Sequence, residues 1–533
     1  MYQTNYSNRK SAVIGFFVFS LFLGLVSGCT DLKVPAEAGV ISGIRLPAVI
    51  DHNMVIQQGV KVPIWGWADP GQLINVSGSW QSKNATTKAD KQGKWKVEID
   101  PPAKPGGPHE ITINDKKITN VLCGEVWVCS GQSNMQLSLN RCDNAEQEIA
   151  EANYPNIRLF YVPRTVAVRP QDDCVADWKQ CTPENTQGFS AVAYFFGCKL
   201  NKELNVPIGL INTSWGGTRI EPWTPLTGFE QVPALTNILE DIDKAEKDYS
   251  KNVADSLDDI ESWTKESRKA IASNTLLPET PALPVHPLNG HQKPMALYNS
   301  MIHPLLPYPV KGGIWYQGES NRSDGFLYFE KMKALIAGWR SVWNNKKMPF
   351  YYVQLAPYHY RGDTSLLAQI WHAQSKTLTV PNTGMAVIND IGNTIDIHPR
   401  NKQDVGKRLA LWALAKDYGH KELVYSGPLY DSLAVKGSKI RLNFKHVGGG
   451  LVSRDGKPLD WFTIAGANGD FYNAKAKIDG DNVLVWSKAV EKPVAVRYAW
   501  HQQAEPNLMN KQGLPASGFR TDDWEIIKPA AKK

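Results

Sequence analysis

Between residues 38 and 120 the apolar positions come in short bursts separated by glycine, proline and aspartate, a pattern of strands and turns. They run through Ile44–Ile50, Met54–Gln57 and Val60–Gly66, break at Asp69-Pro70-Gly71, and resume at Leu73–Ser77, Trp95–Ile99 and His109–Ile113. Many short strands with such punctuation predict a small β-sandwich over 38–120.

From residue 121 the period alternates. Val121–Ser130 reads as a buried strand entering Gly131-Gln132-Ser133-Asn134-Met135, and Phe189–Leu204 follows with helical spacing. Pro207–Thr213 reads as a strand ending in Ser214-Trp215-Gly216-Gly217-Thr218. Further strands are predicted at Val310–Tyr316, Phe350–Ala356 and Gly384–Asp390, and helices at Phe326–Trp339 and Asp404–Lys416. Apolar strands alternating with amphipathic helices predict an α/β domain over 121–423, with a parallel sheet covered on both faces. Ligands in such folds bind beyond the C-terminal strand ends. A charged helix and a Pro-rich stretch at about 227–295 read as a helical insertion near the site. Over 424–530 short strands return, predicting a second β-sandwich.

The first 28 residues carry a different message. Arg9 and Lys10 precede an apolar run from Ala12 to Val26, which is short for a bilayer span and has signal-peptide flanks. Its ending, Leu25-Val26-Ser27-Gly28-Cys29, resembles a lipoprotein cleavage box. The expectation is an exported protein anchored by lipid on Cys29 at a bacterial cell envelope, on the outer membrane or its periplasmic face. Export also suits the six other cysteines (Cys123, Cys129, Cys142, Cys174, Cys181 and Cys198), for which disulfides are expected, with buried free thiols as the alternative for some of them; Cys174 and Cys181 are near enough to close a small loop. Zinc is disfavoured there, because no pair has Cys-x-x-Cys spacing. The net charge of +7 is spread over 533 residues with scattered lysines, which argues against nucleic acid as a partner.

Ser133 lies in a Gly-x-Ser sequence directly after a strand, where an exposed hydroxyl can attack a carbonyl if a base takes its proton. The elbow Gly-x-Ser-x-Gly is not met, since Met135 fills its last place. The whole block Gly124-Glu125-Val126-Trp127-Val128-Cys129-Ser130-Gly131-Gln132-Ser133-Asn134-Met135 resembles the nucleophile segment of the sialate O-acetylesterase family within the SGNH hydrolases. The likeness continues through Ser214-Trp215-Gly216-Gly217-Thr218, Trp315-Tyr316-Gln317-Gly318-Glu319-Ser320-Asn321 and Ile397-His398-Pro399 with Lys402. Asp51-His52-Asn53-Met54-Val55 extends it toward the N-terminus.

That resemblance implies a flavodoxin-like hydrolase core, a Ser133–His398 pair, no cofactor and no metal. It also implies an oxyanion hole from the Ser133 N–H, the N–H of Gly217 (or Gly216) and a side-chain amide from Gln317 or Asn321. The third triad member is open. The common pattern places Asp three residues before His, but position 395 is Ile. Asp396 is favoured to hold the imidazole, with Asp390 and Glu319 as alternatives. The implied substrate is an acetylated sugar or glycan. A sialate carboxylate would call for an arginine, and Arg219 and Arg322 both follow site blocks. An esterase for acetylated hemicellulose and a non-catalytic carbohydrate-binding lipoprotein are the competing readings.

Overall fold

The computed structural model describes residues 43–525; the apolar N-terminal run and Cys29 lie outside the described residues. Its spine is the strand Lys116–Gly131, in which every residue from Val121 to Gly131 is buried. A strand buried throughout needs cover on both faces.

The first half of this strand pairs antiparallel with Gly106–Ile113 and parallel with Val55–Gln57. Its second half pairs parallel with Ile208–Ser214 on one side and Gly312–Tyr316 on the other. Phe350–Val353 and Thr383–Ala386 continue the parallel sheet beyond Gly312–Tyr316. In chain order these five strands lie 2-1-3-4-5 across the sheet, as in a doubly wound open sheet. Tyr154–Tyr161 adds a parallel strand outside Ile208–Ser214, and Trp178–Cys181 closes that edge antiparallel. The fold is thus α/β around a central mixed sheet, with several further β-sheets. The N-terminal β-structure and the α/β region are joined within one strand, so the division at residue 120 falls inside a continuous element.

Two helix groups accompany the sheet. Ala191–Leu204 packs on Lys402–Asp417, and Tyr328–Val342 packs on Leu366–Thr377. Local chemistry starts the first pair. Ser190 Oγ accepts the Ala193 N–H at 3.2 Å, and Asn401 Oδ1 accepts the Asp404 N–H at 3.0 Å, each satisfying a donor that the first helical turn leaves free.

The insertion is a 37-residue helix, Thr236–Ala272, in which only Ile238, Ile242 and Ser267 are buried. Its N-terminal turns share a small separate core with Phe229, Val232, Leu235 and Leu288. After residue 424 come two four-stranded antiparallel sheets, centred on Lys439–Lys445 with Asn482–Trp486 and on Phe462–Ala465 with Ala495–Tyr498.

The expected disulfides are not formed. All six described cysteines are free thiols, four of them buried. Cys181 sits across the strand pair from Tyr154 rather than closing a loop with Cys174. These thiols serve as small apolar side chains, and burial pushes those of Cys129 and Cys174 well up.

Candidate active site

Gly131 stands in register with Ser214 on one neighbouring strand and with Tyr316 on the other. Three loops therefore leave the sheet side by side, carrying Ser133, Gly216-Gly217 and Gln317–Asn321. Gly131 adopts φ +145°, and a side chain there would collide with the Tyr316 carbonyl. The Gln132 N–H donates to Tyr316 O at 3.0 Å and the Trp215 N–H to Gly131 O at 3.0 Å, which locks the three strand ends together.

Ser133 opens the short helix Ser133–Gln136 and is half-buried. As the first helical residue its N–H has no intrahelical acceptor, so it is available to a ligand. Gly216 presses on it: a Cβ at that position would come 3.2 Å from Ser133 Cβ. The Gly216 N–H is already donated to Gln136 Oε1 at 2.6 Å. Gly217 is exposed at φ +76°, a conformation suited to glycine. Its carbonyl accepts from Gln292 Nε2 at 2.7 Å and Ser320 Oγ at 2.9 Å.

His398 is half-buried on the loop before helix Lys402–Asp417, with its Nδ1 3.9 Å from Asp396 Oδ1. The same Asp396 oxygen accepts the His398 backbone N–H at 2.9 Å. Burial first, and then the Lys402 charge, lower the imidazole below its usual value, while Asp396 pulls the other way. A depressed imidazole is neutral near pH 7 and free to take a proton.

A buried polar network underlies these loops. Asn134 Nδ2 donates to Glu319 Oε1 at 2.6 Å and to Ile397 O at 2.9 Å, and Asn134 Oδ1 accepts from Lys402 Nζ at 2.7 Å. Burial brings the Lys402 ammonium down to about 7 despite the opposing charge of Glu319. Burial likewise raises the Glu319 carboxyl, whose Oε2 has no partner among the described residues.

Several residues singled out from sequence are committed elsewhere. Asp390 is bound by both Arg408 guanidinium nitrogens, at 2.6 and 2.7 Å, and so serves an ion pair rather than the imidazole. Gln317 Nε2 donates to Thr218 O at 3.0 Å and Asn321 Oδ1 at 2.7 Å, while its Oε1 accepts from Tyr328 Oη at 2.8 Å. Asn321 Nδ2 donates to Glu221 Oε2 at 3.0 Å and Asp324 Oδ2 at 2.6 Å. Each amide has only two hydrogens to give, so neither is left for an oxyanion in this geometry. Arg219 is paired with Glu221 and Asp324, alongside Lys331. Burial would raise Glu221, but Lys331 and Arg219 outweigh it and hold that carboxyl at about 2. Arg322 donates to the carbonyls of Asp363 and Arg361 and lies 4.6 Å over the Tyr360 ring. Both arginines shape loops.

Sequence reasoning missed Asn134 as a bridge and Gln292 as a brace. Gln292 Oε1 accepts the Arg219 N–H at 3.1 Å while its amide holds Gly217 O, so the insertion's return segment fixes the Gly217 loop. Next to it, His291 stacks on Trp215 with ring centres 5.2 Å apart. Among the described residues no group of three or more His, Cys, Asp or Glu is placed to hold a metal ion.

A family model described as carbohydrate esterase, sialic acid-specific acetylesterase, matches residues 123–255 and 286–414. The intervening stretch, 256–285, holds the outer part of the long helix and the chain that follows it. Sialate O-acetylesterase of Rattus norvegicus is 33% identical over 448 residues, covering 76% of this chain and 79% of the relative. That of Mus musculus is 30% identical, covering 91% of this chain and 93% of its own. Among solved structures, a carbohydrate acetylesterase from Xanthomonas citri is 39% identical with a TM-score of 0.75, spanning 90% of this chain and 100% of that one. Together with the α/β sheet and its converging loops, these likenesses define an esterase. The chain belongs to the sialate O-acetylesterase family.

Proposed function

We propose that this protein removes acetyl groups from sugar hydroxyls by a serine mechanism on an SGNH-type, flavodoxin-like core. What carries the reading is the Asn134 side chain, which joins the residue after Ser133 to the loop of His398 while resting on Glu319. It gives nucleophile and base a common rigid support.

In this reading His398 takes the Ser133 proton as the hydroxyl oxygen attacks the acetyl carbonyl. The Ser133 and Gly217 N–H groups receive the developing oxyanion. The intermediate collapses, His398 returns the proton to the departing sugar oxygen, and water then clears the acetyl-enzyme by the same route. Asp396 steadies the imidazolium, since Asp390 is held by Arg408 and Glu319 by Asn134. Acetylated sialic acid is the favoured substrate, in keeping with the relatives' names. The protein acts outside the cytoplasm, tethered through lipid on Cys29.

The test is Ser133→Ala with acetate release and thermal midpoint measured together. Turnover should fall by about 10⁶, with stability moved by about 0.5 kcal/mol or less. A serine-directed organophosphate should add mass to the Ser133 peptide of the wild type alone. Retained turnover, or label on another serine, refutes the assignment.

A further inference from the structure

A cavity of about 210 Å³ opens beside His398, lined among others by Asn140, Arg141, Asp396 and Arg400. At about 30 Å³ per water molecule it has room for a carboxylate and the part of a sugar next to it. Arg141 belongs to the segment that follows the Ser133 helix, and Arg400 lies two residues beyond His398. The Asp143 N–H donates to Arg400 O at 3.0 Å and Gln403 Nε2 donates to Asp143 O at 2.5 Å, so the two segments are stitched together. Both arginines are exposed, and among the described residues neither guanidinium has a hydrogen bond or a carboxylate within ion-pair distance. Arg219, Arg408 and Arg497, by contrast, are each paired with a carboxylate.

We propose that Arg141 and Arg400 form an anion subsite that takes the carboxylate of an acidic acetylated sugar while its acetyl ester lies at Ser133 and His398. This rests on the serine-esterase reading above. Two guanidinium groups present forked donors matched to a carboxylate. The one acidic group lining the cavity, Asp396, is turned to His398, whose backbone N–H it accepts through Oδ1, and is within ion-pair distance of neither arginine. A neutral polysaccharide has no group that would use two unpaired cations next to the base. The subsite also explains how acid recognition is possible although Arg219 and Arg322 are bound within their own loops.

The experiment compares kcat/KM for acetate release from an O-acetylated sialic acid and from its carboxyl methyl ester. Wild type, Arg141→Gln, Arg400→Gln and the double variant are each measured at low and high salt. Wild type should prefer the acid by about 10- to 100-fold, the worth of one or two charge-assisted hydrogen bonds. The ratio should shrink in each single variant, approach one in the double variant, and fall with salt in wild type. A double variant that keeps the wild-type preference, or a wild type indifferent to the methyl ester, overturns the subsite. Ser133→Ala separates the two readings: if it still turns over both esters, the serine assignment fails whatever the arginines do.

Discussion

Asn134 Nδ2 lies 2.9 Å from Ile397 O, so the residue after Ser133 is hydrogen-bonded to the residue before His398 across 263 positions of sequence. Its second donor goes to Glu319 and its oxygen accepts from Lys402, which makes one amide the junction of three loops. A buried amide between two ionisable groups is costly to remove, because each is left without its partner.

Asn134→Ala should therefore lose both stability and rate. A loss of about 3 kcal/mol or more is expected from leaving buried Glu319 and Lys402 unpaired. The turnover number should drop as well, since the His398 loop loses its tie. Denaturant unfolding and kcat on an acetyl ester measure the two, and an Asn134→Ala enzyme that matches wild type in both would remove the bridge from the mechanism.

Asp396 and Asp390 should part company on substitution. Asp396→Asn frees the tautomer of His398 and should cost up to about 10⁴ in kcat with little change in midpoint. Asp390→Asn leaves buried Arg408 short of its carboxylate and should cost about 3–5 kcal/mol of stability instead. Glu319→Gln should show a smaller rate loss than Asp396→Asn. A crippled Asp390→Asn beside an active Asp396→Asn reverses the roles.

The pH profile carries a sign. Burial, then Lys402, lower the His398 imidazole below 6.5, so it stays neutral, and able to act as base, to lower pH than a free histidine. The acid limb of kcat/KM should fall below pH 6.5. Removing the carboxylate in Asp396→Asn withdraws support from the imidazolium and should move the limb lower still. Removing the cation in Lys402→Met should move it up. Shifts in the opposite senses would show that another group controls the limb.

Cys29 predicts location. Metabolic acyl labelling with membrane fractionation should find the mature protein lipidated and membrane-bound, and Cys29→Ala should release it. A wild type that is unlabelled and wholly soluble contradicts the anchor.

Local pattern carried much of this molecule. The apolar runs at 121–130, 207–213 and 310–316 foretold the three central strands because a strand buried on both faces has no choice but to be apolar. The strand Tyr154–Tyr161, the edge strand Trp178–Cys181 beside it and the helix Leu366–Thr377 escaped notice, for partly exposed or polar-studded segments keep a weaker period. The motif blocks likewise marked Ser133, Gly217 and His398, since chemistry at a strand end needs a small set of residues at fixed spacing.

What the sequence could not decide was the use of each polar side chain. Gln317, Asn321, Arg219 and Arg322 each stand in or beside a motif, yet their hydrogens are taken by Thr218, Glu221, Asp324 and the carbonyls of Asp363 and Arg361. The residues left without partners beside His398, Arg141 and Arg400, carry no motif at all. A donor can be spent only once, and where it is spent depends on contacts between residues a hundred or more positions apart. The order of residues therefore determined the strands, the loops at their ends and the chemistry on offer. Only the folded chain decided which of those groups remain free to meet a substrate.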